Sequence, residues 1–171
     1  MLDSGILSKD VELENILQIL PHGKEALIKG LRINGLAADD LAIGYACFPD
    51  KSKYFRGHFP KSPCLPFHIV QEIAHQVMQV AILSALSQEQ RSELRPLCWK
   101  WDELRLADQI LPNEVFKMVA QIIDPRPLLV SPKGIKVIKG LCLGSKVVEE
   151  KTIFEGTVYF SLVPKDKIKK G

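Results

Sequence analysis

Residues 67–86 carry the longest apolar signal in the chain, and its period is helical. Ile69, Ile73, Val77 and Ala81, joined by Val70, Ala74, Val80 and Leu83, cover most of a circumference at about 100° per residue. His68, Glu72, His75 and Gln79 fall within one narrow arc, so the spacing predicts a wrapped helix with a single polar stripe. Residues 11–20 repeat apolar positions at mixed three- and four-residue steps before Pro21, which predicts a short helix. Residues 26–34 and 41–48 are apolar-rich and parted by Gly35 and Asp39-Asp40, a pattern of two strands and a turn. A polar, helix-like break follows the long helix at residues 87–93. Strands are then expected at 97–101 and 114–123, with Asp124-Pro125-Arg126-Pro127 as a turn. A long hairpin is expected from 134–143 and 146–163, turning at Gly144-Ser145. Trp99 and Trp101 are expected on opposite faces of this strand, one toward the core and the other free for a subunit interface. No crossover helices separate the late strands. The order therefore predicts an α+β fold with an antiparallel sheet curled around one central helix.

Composition agrees with one soluble domain. The 171 residues are 46% hydrophobic and 25% charged, which excludes a disordered chain, a collagen-like repeat and a coiled coil. A single domain is expected over residues 1–163, with a charged, fraying tail at 164–171. The net charge of +3 comes without a dense basic patch interleaved with aromatics, so no nucleic-acid partner is expected. The four cysteines have no Cys-x-x-Cys spacing and read as reduced thiols of a cytoplasmic protein. The first residues lack the pattern of a signal peptide, and the longest uncharged stretch, 73–88, is too short and polar to span a bilayer.

Chemistry concentrates at residues 54–76. Four prolines between 49 and 66 remove backbone donors and shape a loop that holds His58. Glu72 follows almost two turns into the helix. An imidazole near its own pKa and a carboxyl set in an apolar wall make a base and acid pair. The amides at the helix start after Pro66 could polarise a carbonyl. His68, Glu72 and His75, with His58 from the loop, also have the spacing of a metal cluster; packing or hydrogen bonding beside the acid accounts for the extra imidazoles without one, and no metal is expected. Lys51, Lys53, Arg56 and Lys61 are either ordinary surface charge or a basic rim for an acidic partner.

The run Gly57-His58-Phe59-Pro60, followed by Pro63, Pro66, Glu72 and Gln76, resembles the FabZ-type β-hydroxyacyl-(acyl carrier protein) dehydratases. Leu20-Pro21-His22 and Leu111-Pro112-Asn113-Glu114 are similar to that family's flanking motifs, so the resemblance runs from about residue 15 to 163. It implies the hot-dog fold and removal of water from a 3-hydroxyacyl thioester of acyl carrier protein or coenzyme A, without a cofactor. His58 would take the α-proton, and Glu72, from the partner subunit of a homodimer or trimer of dimers, would protonate the departing hydroxyl. Gly57, Phe59, Pro66, Phe67, His68 and Gln76 would contact the substrate. Departures from the family pattern are Phe67 at a glycine position, Gly23 at an arginine, Asn113 at a glycine, and the added His68 and His75. A thioesterase on the same fold would need water in place of the 3-hydroxyl. Phe67 favours a third reading, a catalytically weakened subunit that binds acyl carrier protein.

Overall fold

Phe67–Ala85 form the central helix α1, started by Pro66, whose extended backbone cannot continue it toward the N-terminus. The computed structural model describes residues 8–11, 27–28, 30–34, 41–56, 59, 61–123, 129–130 and 136–167. Val70, Ile73, Ala74, Val77, Met78 and residues 80–83 of α1 are buried, each large side chain contributing about 1.5–3 kcal/mol relative to exposure. The helix stops at Leu86, and Ser87 opens α2, Gln88–Glu93, through a capping box with Gln90.

The strands are β1 Ser8–Val11, β2 Gly30–Asn34, β3 Leu41–Cys47, β4 Leu94–Leu106, β5 Val115–Ile122, β6 Leu129–Val130, β7 Lys136–Lys146 and β8 Thr152–Pro164. All pair antiparallel in the order β1-β2-β3-β5-β7-β8-β4, with β6 on β7. Helix α1 packs chiefly on β5 and β3, its buried face filling the concave side with Phe116, Met118, Phe154 and Phe160. This is the antiparallel sheet around one helix that the pattern predicts.

Three expectations are corrected. Val11 belongs to strand β1, not to a helix, and the remainder of the expected helix, residues 12–20, lies outside the described residues, as do the expected turn at 124–127 and the end of the tail. The β7–β8 hairpin turns at residues 147–151 rather than at Gly144-Ser145, with Glu150 in the left-handed region at φ 52°. Gly144 serves close approach instead. A Cβ there would fall on the Phe116 ring and 2.9 Å from Phe154 Cβ, so glycine makes room for two buried aromatics. The strand expected at 97–101 runs from Leu94 to Leu106. Pro96 is tolerated because β4 lies at the sheet's edge, and two bulges interrupt its register, after Cys98 and after Asp102. Residues 99 and 101 of a regular strand would share a face; the bulge between Cys98 and Lys100 separates them, so Trp101 stands edge-on to buried Phe154 at 6.3 Å whereas Trp99 is 57% exposed beside Tyr159.

An ionic cluster fastens the loop between β4 and β5. Lys146 Nζ, almost buried, lies 3.4 Å from Asp108, 3.6 Å from Glu114 and 3.8 Å from Glu149. Burial pushes the ammonium's pKa down, but Glu114 and the other carboxylates outweigh it and hold it above its ordinary value.

Gly144→Ala should lower stability by about 1–3 kcal/mol in urea unfolding, since two rigid rings must give way. Among the cysteines, half-buried Cys47 should react with iodoacetamide in the native protein. Cys142 should react only after unfolding, because burial pushes its thiol far above the usual range.

Candidate active site

The polar stripe of α1 is held by a chain of hydrogen bonds. Gln76 is 1% exposed, and its Oε1 accepts from the Leu27 amide at 2.8 Å. Its Nε2 donates to Glu72 Oε1 at 3.0 Å. His75 Nδ1 stands 3.4 Å from Glu72 Oε2, its ring 5.1 Å from that of Phe160 on β8. The Glu72 side chain is 33% exposed, so the acid is not enclosed in the apolar wall expected of it. Two polar neighbours reach its two oxygens instead, because the helix places residues 75 and 76 one turn further on the same face. Cys98, on β4, is close enough for Glu72's charge to add to burial in pushing its thiol pKa up. Among the described residues no group of His, Cys, Asp and Glu has the geometry to hold a metal ion.

The loop before α1 is built by local capping. Ser52 Oγ caps the 3-10 turn Lys53–Phe55, whose Phe55 is buried. Leu65 N donates to Ile110 O at 2.8 Å, which ties the loop to the segment after β4. Phe59 takes φ 50°, a conformation that costs a bulky residue roughly 1–3 kcal/mol, and its carbonyl accepts from Ser62 N at 2.9 Å. Gly57, His58 and Pro60 lie outside the described residues, as do Leu20, Pro21, His22 and Gly23.

An open groove of about 610 Å³ lies at the helix start, lined by Lys53, Tyr54, Arg56, Pro66, Phe67, His68 and Ile69. Ile69 N and Val70 N both reach Pro66 O and no side chain caps the helix. The amides of Phe67 and His68 therefore have no acceptor within the helix. Phe67 is 39% exposed, forming part of the groove wall with its ring 6.5 Å from that of Phe154. Lys53 and Arg56 of the expected basic rim line the groove; Lys51 and Lys61 are exposed outside it.

The structure thus gathers Pro66, Phe67 and His68 at the groove, and Glu72, His75 and Gln76 along the stripe. It leaves Phe59 largely exposed on the loop. The departure at Asn113 costs little. Asn113 has φ 65°, the left-handed region that asparagine tolerates next best to glycine, and its Nδ2 donates to Asp50 Oδ1 at 2.9 Å. Tyr54, Cys98 and the Leu27 amide are neighbours of the site that sequence reading missed. Inward alternation along β4 could have found Cys98; a backbone amide leaves no such mark.

Gln76→Leu, close in volume, should remove both hydrogen bonds and leave the buried Leu27 amide unsatisfied. The expected loss is about 1–3 kcal/mol, read from the midpoint of urea unfolding.

A family model described as the FabA-like domain matches residues 44–140. The 3-hydroxyacyl-(acyl carrier protein) dehydratase FabZ of Moorella thermoacetica is 31% identical over 144 residues, 84% of this chain and 91% of that protein. Its counterpart from Clostridium acetobutylicum is 25% identical over 144 residues, 84% and 96% of the two chains. Of solved structures, a thioesterase from Haemophilus influenzae aligns with a TM-score of 0.61 at 12% identity, over 91% of this chain and 93% of the other. A chain of a dehydratase heterocomplex from Xenorhabdus doucetiae aligns with a TM-score of 0.52 at 12% identity, over 74% and 92%. The two solved structures speak to the fold alone. Motif, family model and architecture agree: the chain belongs to the FabA-like, FabZ-type family of hot-dog dehydratases.

Proposed function

We propose that this protein removes water from a 3-hydroxyacyl thioester to give the trans-2-enoyl thioester, in fatty-acid or related acyl-chain synthesis. The observation that carries the reading is the placement of Glu72. Its carboxyl is held through Gln76 and His75 on the helix whose open N-terminus borders the groove. His58, from the Gly-His-Phe-Pro run, is the base that takes the C2 proton as the C3–O bond breaks. Glu72 gives a proton to the departing hydroxyl, which leaves as water. The Phe67 and His68 amides face the thioester oxygen while negative charge develops on it. Each proton-transfer group is worth roughly 10²–10⁴-fold in rate.

The substrate is carried on acyl carrier protein or coenzyme A. Lys53 and Arg56 at the groove, with Lys51 and Lys61 nearby, supply positive charge for an acidic carrier surface or for phosphate. A second copy of the chain completes the site, and the long edge of β4, with Leu97 and Trp99 exposed, suits such pairing. A cytoplasmic setting goes with the reading, since reducing conditions there keep cysteines as thiols. One observation favours a second reading. Phe67 adds a large ring at the groove, where the family pattern has glycine, which suits a weakened subunit that binds the acyl carrier without turning it over.

Purified protein should add water to a crotonyl thioester, and His58→Ala and Glu72→Gln should each slow it by about 10²–10⁴-fold. No hydration by the wild-type protein would overturn the dehydratase reading, and hydrolysis of the thioester in its place would point to a thioesterase. Carrier-protein binding without either reaction would support the weakened-subunit reading.

A further inference from the structure

His75 is an addition to the family pattern, and it sits against the acid. Its Nδ1 is 3.4 Å from Glu72 Oε2, and the two side chains are 24% and 33% exposed. One turn of a single helix sets this spacing, so the pair forms within one chain whichever subunit supplies the base. Phe160 backs the imidazole at 5.1 Å, an apolar wall that limits where the ring can lie. Gln76 Nε2 donates to the other carboxyl oxygen, Oε1, at 3.0 Å.

The two partners differ in chemistry. An amide N–H donates and cannot take up a proton, whereas an imidazole nitrogen does both. A carboxyl and an imidazole in contact can pass a proton between them, and where they couple the titration belongs to the pair. An isolated glutamic acid has an ordinary pKa of about 4.3 and is empty near neutrality, while an imidazole's ordinary value is about 6.5. Among the described residues, other groups along this face are the Cys98 thiol of β4, Gln79, and His68 one turn before Glu72. The thiol's pKa is pushed up, chiefly by burial, so it stays protonated and adds no charge near neutrality.

We propose that His75 and Glu72 are a proton-sharing pair in which His75 passes to Glu72 the proton that the carboxyl delivers to the leaving hydroxyl. The inference rests on the dehydratase reading and makes His75 a positioning residue that acts through Glu72. At rest the pair holds one proton between Nδ1 and Oε2. His58 then takes the C2 proton, the C3–O bond breaks, C2=C3 forms, and the shared proton leaves with the oxygen as water. The pair is left as carboxylate and neutral imidazole. The proton gained by His58 passes to solvent and one returns to the pair, so protons balance over a turnover.

Two measurements test this. In His75→Asn the amide takes the place of Nδ1 but cannot carry a proton. Its kcat for dehydrating a 3-hydroxybutyryl thioester should fall about 10- to 100-fold near neutrality, with KM changed less than about twofold. The alkaline limb of its pH profile should move to lower pH, so the deficit shrinks as the solution is acidified. An equal loss at every pH would overturn the proposal. Separately, the NMR titration of the His75 ring should move to a lower midpoint in Glu72→Gln, which removes the negative partner. An unchanged midpoint would overturn the pairing whether or not the protein is active. A wild type that titrates as expected yet dehydrates nothing would leave the pair standing and sink the assigned reaction instead.

Discussion

A helix that buries nearly its whole circumference, and still carries a carboxyl, is the constraint around which this protein is built. Apolar burial of α1 against β3 and β5 fixes the helix in place, and the sheet curls because a single cylinder must be covered on most sides. The polar stripe lies toward β4 and β8, where Gln79 Nε2 donates to Pro96 O at 3.4 Å and the His75 ring meets that of Phe160. Buried Gln76 uses both ends of its amide, one on the Leu27 backbone and one on Glu72, since a buried polar group without partners would cost about 1–3 kcal/mol.

Much of this was legible in the residues. The 3.6-residue period of 67–86 locates the helix to within a residue, since nothing else in the chain has so long an apolar run with so narrow a polar arc. Gly-His-Phe-Pro with Glu72 and Gln76 in register marks the neighbourhood of the candidate site. What was not legible depends on distant contacts. Gly144 reads as a turn because glycine favours turns, yet it makes room for Phe154, its partner across the hairpin, and for Phe116 on the strand at its other side. The surroundings of Glu72 were misjudged for a related reason. Apolar periodicity describes the helix average, while the carboxyl sees its neighbours three and four residues on.

The departures from the family pattern do not weigh equally. Asn113 keeps the backbone conformation that glycine would have, and adds a side-chain bond whose acceptor, Asp50, is held below the usual carboxylate range by it. Phe67 preserves the amide it brings to the helix start, since every residue but proline has one, while altering the width of the groove. One substitution is conformationally silent and the other reshapes the approach to the site. Only the second changes the shape of the groove.

The bridge from Leu27 through Gln76 to Glu72 has a direction built into it. A backbone N–H can only donate, so it faces Gln76 with an oxygen, and the planar amide must then present its nitrogen to the carboxyl. The side chain cannot turn round without setting donor against donor at one end and acceptor against acceptor at the other. Position 27 can therefore drift through any residue type but proline and still pass on the same polarity. The orientation of the acid is inherited from the main chain, which mutation of side chains leaves untouched.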